Sequence, residues 1–411
     1  MKLAGAVAVV LLAAPVAARA QGERPATPGD APVSQPADGI PQRDIMDLLR
    51  GITGRRVEPE ASLEPRPGIS LTLLPSVGYN PAYGAFIGVS AAFAGWLGDP
   101  KTTTTSSGSA GASYSTTQQV SVQFKSDFFT PGNGLDFKGD WRYLDTSQDT
   151  YGLGSLEPGQ PAYPMDFVMY RFFETVYRRV PQTPFYVGIG YHFSNYQNIV
   201  DQQADQGAQT PFTVYELGYP RHSIASGLSA NVLYESRDNT INATRGLYWN
   251  ASLRGFPEGL GSDGNWQSLW SDLRVYPHVP REGRNVLALW NYLWLTFGHA
   301  PYLDLPAIGW DTFGRGGRGY IQGRIRGRNQ MYNEAEYRRT LTRDGLWGVV
   351  VFGSLMATTG GAGSAFQQVD PGGGVGLRVK FNKRTASNLT IDLSWGQSQP
   401  GRFFFGMQEV F

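Results

Sequence analysis

The chain has 411 residues, no cysteine, 52 glycines and 13% aromatic residues, and its formal net charge is +1. A nearly neutral chain lacks the basic surface that nucleic-acid binding requires. The lack of cysteine excludes disulfide bonds, cysteine nucleophiles and zinc–thiolate sites, and it is compatible with export from the cytoplasm.

The N-terminus is typical of a cleaved secretory signal peptide. Lys2 supplies the basic region, Leu3 to Ala14 form a short apolar run, and Ala18-Arg19-Ala20 is a cleavage site of small residues. The apolar run is too short for a membrane-spanning helix, so a retained anchor is the weaker alternative. We expect a signal peptide over residues 1–20.

The segment 21–68 differs in composition from the rest of the chain. It is rich in Pro, Gly, Ala and Asp, which predicts a mostly disordered periplasmic segment. A short helix is predicted over residues 44–53, where Asp44 caps an apolar stripe made of Ile45, Leu48, Leu49 and Ile52. Two interpretations of this helix stay open: a plug or docking helix at the mouth of a barrel, or a transient linker helix.

From residue 69 to residue 411, apolar and polar residues alternate with a period of two. Between residues 135 and 143, for example, the apolar residues are separated by Asp136, Lys138, Asp140 and Arg142. So many charges on one face cannot be buried in a dry core, which makes a soluble β-sandwich or barrel the weaker alternative. No later segment has the roughly 18 continuous apolar residues that a spanning helix needs. The pattern predicts an all-β transmembrane barrel with one face toward lipid and one toward water.

The alternating segments number about sixteen, and bacterial barrels usually have an even number of strands. If the first strand runs outward, the short joints lie on the periplasmic side and the long joints outside, at 149–165, 201–222, 302–328 and 360–371. The predicted strands begin near residues 70, 83, 102, 116, 135, 166, 185, 223, 247, 265, 286, 329, 346, 372, 387 and 402.

The chain ends in the sequence RFFFGMQEVF. A terminal aromatic residue on the last strand is the signal that assembly machinery reads in outer-membrane barrels. We therefore predict a last strand over residues 403–411 that carries Phe403, Phe405 and Phe411, with Glu409 in place of the usual hydrophobic residue. This strand is predicted to meet the first strand, residues 71–79, at a loosely paired seam.

Three further segments carry a resemblance to a known family. They are Arg318-Gly319-Tyr320 before the twelfth strand, Ser236 to Gly246 between the eighth and ninth strands, and Ala335-Glu336-Tyr337-Arg338 on the twelfth strand. In this order they resemble the C-terminal barrel of the BamA/TamA superfamily, also called the bacterial surface antigen family. The first is similar to its (V/I)RG(F/Y) loop tip, although Gly317 replaces the aliphatic residue. The second is similar to the family's R/D-x-x-x-x-P-T-x-G turn, with Ala243 in place of the proline.

The resemblance implies that the extracellular loop 302–328 folds into the lumen. Arg318, with Gly319 and Tyr320, would be held there by Glu336, and Glu334 is the neighbouring acceptor. A guanidinium group offers five donors in a fixed fork, and a carboxylate can accept two of them. In the family a second acid on the thirteenth strand usually completes the contact, but here residues 350–354 contain none.

The resemblance also implies a non-enzymatic role in protein insertion or translocation at the Gram-negative outer membrane. Residues 21–68 are too few and too rich in proline for a POTRA domain, so the chain resembles a POTRA-less branch. The expected partners are outer-membrane lipids and lipopolysaccharide, the assembly machinery for the chain's own insertion, and a periplasmic partner protein. No nucleic acid, cofactor or metal is expected, because the four histidines lack ligand spacing.

Two alternative functions stay open. The first is a passive diffusion channel, like a porin, in which the loop only narrows the pore. The second is a lipid hydrolase, because Tyr191-His192-Phe193-Ser194-Asn195 places His192 and Ser194 on one face of a strand.

Overall fold

The structure is a computed structural model. It describes residues 41–52, 66–80, 84–154, 159–217, 220–279, 284–312, 314–360, 365–366, 369–383, 385–397, 401–407 and 409–411. The predicted signal peptide lies outside the described residues, as does most of the segment 21–68. Within the described part of the chain, no helix is long and apolar enough to cross a membrane.

The described residues form one antiparallel sheet of sixteen strands, paired in the order of the sequence. The predicted all-β, sixteen-stranded antiparallel architecture is therefore confirmed, and every strand begins within four residues of its predicted start. The strands are β1 Gly68–Asn80, β2 Gly84–Trp96, β3 Ser106–Ser115, β4 Val120–Phe129, β5 Leu135–Thr150, β6 Tyr163–Arg179, β7 Phe185–Asp201, β8 Ser223–Glu235, β9 Gly246–Phe256, β10 Trp266–Tyr276, β11 Asn285–Gly298, β12 Asn329–Thr340, β13 Trp347–Thr359, β14 Val369–Asn382, β15 Ser387–Gly396 and β16 Arg402–Met407.

The two faces of the sheet differ as the alternation predicts. On β7, Val187 and Ile189 are exposed on the outer face, and Ile189 keeps 76% of its surface accessible. His192 and Ser194, on the same strand, are buried on the inner face. Because successive side chains of a strand point to opposite faces, this arrangement gives an apolar outside and a polar inside.

The interior also contains an apolar cluster that the sequence analysis did not expect. Trp290, Tyr292 and Trp294 of β11 point inward and pack in one cluster with Tyr302 and Trp310 of the loop 302–328. The outward positions of the same strand are Leu289, Asn291, Leu293 and Leu295. Strand β11 is therefore largely apolar on both faces, because its inner face is covered by the loop.

The two edge strands of the sheet, β1 and β16, show no pairing with each other among the described residues, and the seam predicted between them stays a prediction. Within the described residues, β1 pairs only with β2, and β16 pairs only with β15. The prediction that the last strand extends to Phe411 is wrong, because β16 ends at Met407. Phe403 and Phe405 are exposed, whereas Phe411 is buried.

Helix α1, Ile45–Ile52, lies against the end of β14. Asp44 caps it, because the backbone N–H of Asp47 donates to Asp44 Oδ1 at 2.9 Å. Lys383 Nζ donates to Asp47 Oδ2 at 2.7 Å, and both side chains are buried. These contacts favour the docking interpretation of the helix over the linker interpretation.

We predict that Asp47→Ala releases this helix from the barrel. The substitution leaves the buried Lys383 ammonium without its carboxylate, at a cost on the order of 3 kcal/mol. Limited trypsin digestion of the purified protein should then cleave faster after Arg43 and Arg50, which flank and end the docked segment. Glu258→Ala, at an exposed acid, serves as the control. Equal cleavage rates in the wild type and Asp47→Ala would show that the ion pair does not hold the helix.

Candidate functional site

The loop 302–328 runs through the interior of the sheet and contacts strands on different sides of it. Ser194 Oγ on β7 donates to Asp304 Oδ1 at 2.7 Å, and Arg142 on β5 donates to the carbonyl of Thr312 at 2.8 Å. On β15, Ser394 Oγ donates to the carbonyl of Arg318 at 2.8 Å. The loop therefore bridges the interior from β5 and β7 to β15.

The side chain of Arg318 is fully buried among three carboxylates, and we call these four residues the Arg318 cluster. Arg318 Nη2 lies 2.5 Å from Glu334 Oε1 and 2.6 Å from Glu336 Oε2, and Nη1 lies 2.5 Å from Asp392 Oδ2. All four side chains have an accessible fraction of 0%. Buried charges need such direct pairing, because unpaired charges are very costly in a dry interior.

The acid that β13 lacks is supplied by β15. Glu334 and Glu336 lie on β12, and Asp392 of β15 reaches the other side of the guanidinium group. Strand β13, which lies next to β12, instead contributes Phe352, whose ring centre is 3.4 Å from Arg318 Cζ. The sequence analysis missed Asp392. It has the inward parity of its strand, but nothing in the sequence places β15 opposite Arg318.

The electrostatics of the cluster follow from this geometry. Burial favours the neutral form of a guanidinium group, but the carboxylates of Glu334, Glu336 and Asp392 outweigh that effect. The pKa of Arg318 therefore lies well above its usual value. Arg318 is a permanent cation that holds the loop to two strands.

Gly317 and Gly319, on either side of Arg318, lie so close to neighbouring atoms that a side chain would not fit at either position. A Cβ atom on Gly319 would lie 2.4 Å from the carbonyl oxygen of Trp395, so the loop can approach β15 this closely only with glycine. Gly317 has a φ of +70°, and a Cβ there would lie 2.3 Å from Ile308. Ile308 thus occupies the space that an aliphatic residue at position 317 would need. The hydroxyl of Tyr320 donates to the carbonyl of Pro371 and accepts from the N–H of Gln397 at 3.0 Å.

The charge network continues from the Arg318 cluster to the C-terminus. Arg338 Nε lies 2.5 Å from Glu336 Oε1, and Arg378 Nη1 lies 2.5 Å from Asp392 Oδ1. Arg378 Nε also donates to Glu409 Oε2 at 2.7 Å. The four carboxylates and three guanidinium groups form one connected network that ties the loop, the wall and the C-terminal tail together.

The C-terminal residues lie inside the barrel and not on the last strand. Phe411 packs against Trp290, with ring centres 5.2 Å apart, and its carbonyl accepts from Arg338 Nη2 at 2.7 Å. Glu409 accepts from Asn388 at 2.6 Å as well as from Arg378. Burial favours the neutral acid, but Arg378 and Arg338 outweigh it and hold the pKa of Glu409 at about 2. The charge of Glu409 draws the tail inward, which is why the predicted strand stops early.

The proposed hydrolase pair does not come together in the structure. His192 and Ser194 both face the interior, as their parity predicts, but His192 Nε2 lies 2.9 Å from Ser229 Oγ on β8. Ser194 instead donates to Asp304, whose pKa is raised to about 6 by burial. Ser194 is therefore paired with Asp304 and not with His192. Among the described residues, no group of three or more histidine or acidic side chains could hold a metal ion.

The opposite end of the barrel is crossed by the joint between β8 and β9, the segment 236–245. Thr240 Oγ1 donates to the carbonyl of Thr105 at 3.0 Å, and Asn242 Nδ2 donates to the carbonyl of Ala386 at 3.1 Å. Thr105 precedes β3 and Ala386 precedes β15, so the joint reaches across the mouth. Between this end and the loop, a cavity of about 90 Å³ is lined by polar residues that include Lys138 and Asp272.

A larger cavity of about 460 Å³ lies on the other side of the loop tip. Its lining comes from β2 to β5, from the loop and from β16, and includes Gln123, Lys125, Arg142 and Phe404. Small side chains such as those of Ser113 and Ser121 line this cavity. The interior next to β2–β5 therefore contains less side-chain volume, which leaves the cavity.

No protein-family model matches the sequence, and no curated protein matches it. The structure is similar to BamA from Haemophilus ducreyi lacking POTRA domains 1–3, with 16% identity, a TM-score of 0.48, and coverage of 84% of this chain and 69% of the other. It is also similar to CdiB from Acinetobacter baumannii, at 10% identity and 0.48, covering 83% and 59%, and to CdiB from Escherichia coli, at 9% and 0.49, covering 86% and 63%. The chain spans less than two thirds of either CdiB chain. Similarities at this level do not assign an activity to this chain.

We predict that Arg318→Ala destabilises the folded barrel by about 3–5 kcal/mol, because it removes the cation that three buried carboxylates share and leaves Glu334 without an ion-pair partner. Arg318→Lys should recover only part of this loss, since an ammonium group cannot bind all three carboxylates with the same planar fork. The measurement is the denaturant midpoint of the barrel in detergent. Arg221→Ala, at an exposed ion pair with Asp205, is the control and should change stability by less than about 1 kcal/mol. A wild-type midpoint for Arg318→Ala would contradict the role of the cluster.

We predict that Glu409 makes the barrel more stable at neutral than at acidic pH. Its pKa in the folded protein is below its usual value, so its stabilisation is present above about pH 4.5 and is lost as the pH falls toward 2. Glu409→Gln should therefore lose on the order of 3 kcal/mol at pH 7 and much less near pH 2. Denaturant midpoints of both proteins across this range test the prediction, and a difference that does not vary with pH would refute it.

Proposed function

We propose that this chain is an outer-membrane barrel that acts in the insertion or translocation of other proteins, as the BamA/TamA superfamily does. The observation that supports the proposal is the buried position of Arg318 among three carboxylates of the barrel wall. The Arg318-Gly319-Tyr320 tip, which carries the sequence resemblance, lies against β12, β14 and β15 inside the barrel. A loop held by a buried ionic network can control access to the interior without any catalytic group.

The outer face supports the membrane location. The exposed large apolar side chains are distributed over the strands and include Leu71, Val187, Leu253, Val351 and Phe405. In water, so much exposed apolar surface would drive aggregation, whereas in a bilayer it faces acyl chains. The signal peptide predicted over residues 1–20 is consistent with export to this membrane.

A passive diffusion channel is the less favoured function. The loop 302–328 crosses the interior, and the segment 236–245 crosses the other end of the barrel. Both segments therefore obstruct the lumen that a diffusion channel would need to keep open. The lipid hydrolase is disfavoured because His192 and Ser194 bond to different partners. We propose that the chain is not an enzyme.

We propose helix α1, in the N-terminal segment, as a contact site for a separate periplasmic protein. Helix α1 is docked at the end of the barrel where β14 joins β15, and it carries Leu48 partly exposed, with 37% of its surface accessible. The proposal therefore includes a periplasmic protein that delivers the substrate to this end, in place of POTRA domains.

Planar-bilayer conductance tests whether the loop closes the lumen. We expect the wild type to be nearly closed and Arg318→Ala to show large, frequent openings, because the loop tip loses its three carboxylate contacts. Arg221→Ala should behave as the wild type. A large steady current through the wild type would instead indicate a porin.

The insertion activity needs its own measurement. Vesicles that contain the purified barrel should accelerate the folding of an unfolded outer-membrane barrel protein, compared with empty vesicles and with vesicles that contain a porin. Unchanged folding rates would count against the proposed function even if the loop proved to close the lumen.

A further inference from the structure

The outer face carries one polar row in the middle of its apolar band. The row consists of Ser126 on β4, Gly139 on β5, Glu174 on β6 and Tyr191 on β7, which are paired in register across these strands. Glu174 has the same parity as its outward neighbours Phe172 and Val176, so its carboxyl group points away from the lumen.

The two neighbouring rows are entirely apolar. Along these four strands, one consists of Phe124, Trp141, Phe172 and Phe193, and the other of Phe128, Phe137, Val176 and Ile189. Two residues along a strand span about 6.8 Å, so hydrophobic side chains cover at least this distance on both sides of Glu174. Glu174 thus lies at the depth of the acyl chains, where an ionisable side chain is costly and usually functional.

Polar atoms of Ser126 and Glu174 in this row, and of Trp141 in the neighbouring row, lie close together around Gly139. Trp141 Nε1 donates to Glu174 Oε2 at 3.0 Å. A Cβ atom on Gly139 would lie 2.8 Å from Ser126 Oγ and 2.9 Å from Glu174 Oε2, so glycine leaves the space that these groups fill. We call Ser126, Trp141 and Glu174 the outer polar site. Among the described residues, Glu174 has this one hydrogen bond, so its other carboxyl oxygen has no hydrogen-bond partner there.

We infer that the outer polar site is the centre of an interface with a second copy of this chain. Acyl chains offer no hydrogen bond, so the partner has to present polar groups at the depth of Glu174. The bilayer fixes the depth and orientation of every copy, and a two-fold axis along the membrane normal places each row opposite the same row of the partner. The row contains an acceptor, the Glu174 carboxyl, and a hydroxyl donor, Ser126, whereas the hydroxyl of Tyr191 already pairs with Ser226 Oγ on β8 at 3.0 Å. With an acceptor and a donor in the same row, the row is complementary to itself.

The surroundings of the site suit such an interface. Tyr170 and Phe172 protrude from β6, with 42% and 39% of their surfaces accessible. Trp141 packs at 5.1 Å from Phe172, so the aromatic side chains form a continuous apolar surface next to the polar row. Aromatic side chains are enriched at the centres of protein interfaces.

The outer face has a second polar pair that serves as an internal control. Asn291 Nδ2 on β11 donates to Asn333 Oδ1 on β12 at 2.8 Å, and both side chains have outward parity. This pair is uncharged, makes a hydrogen bond within one copy and lies on a different part of the barrel. It therefore gives no reason for a partner.

The test is the oligomeric state of the protein in lipid bilayers over a range of lipid-to-protein ratios, measured by single-molecule photobleaching. We expect the wild type to dimerise and Glu174→Val to dimerise at least tenfold more weakly. Glu174→Gln should stay within a few-fold of the wild type, because the amide keeps the hydrogen bonds. Asn333→Val should dimerise as the wild type does.

Because the chain has no cysteine, single cysteines introduced on the outer face can locate the interface by disulfide cross-linking. Phe172→Cys should form a disulfide between two copies, and Leu355→Cys on β13 should not. A monomeric wild type, equal dimerisation of Glu174→Val, or equal cross-linking at both positions would overturn the inference. So would an association that depends on Glu174 but involves only a different membrane protein. The inference rests on the membrane location proposed above, which vesicle flotation tests separately, and it does not depend on the insertion activity.

Discussion

Charge pairing in the interior is the constraint on which the rest of this structure depends. Arg318 brings a full positive charge into a space without bulk water, and Glu334, Glu336 and Asp392 surround it. Each of these groups is destabilising alone, and together they specify one position of the loop. The loop in turn covers the inner face of β11, whose aromatic side chains would otherwise face an aqueous lumen.

The same pairing decides where the chain ends. Glu409 is attracted to Arg378 and Arg338, and Phe411 finds an apolar partner in Trp290. The tail thus leaves the sheet after Met407, and β16 stays short. One network therefore links the position of the loop tip to the state of the last strand. A signal that displaces one of them has a direct electrostatic route to the other.

The outer face follows different physics. There the solvent is hydrocarbon, and polar groups are tolerated only where they bond to each other or to a partner. Trp249 donates to Ser271 at 3.0 Å and Asn291 donates to Asn333 at 2.8 Å, so these uncharged groups pair within the chain. Glu174 differs because its carboxyl group is bonded on one oxygen. The alternation in the sequence shows that Glu174 lies on the same face as Phe172 and Val176. Only the register of β4 to β7 shows that hydrophobic rows flank it on both sides.

The sequence by itself determined the strands and their faces, because a period of two is a local property of the chain. The expectation that Arg318 meets Glu336 came from the resemblance of these segments to the BamA/TamA superfamily and not from the alternation itself. Only the tertiary structure brought in Asp392, because β15 is distant in sequence and inward parity does not say which residues face each other. Likewise, only the tertiary structure separated His192 from Ser194 and turned Phe411 inward, since both outcomes depend on charges and hydroxyl groups on other strands that compete for the same side chains.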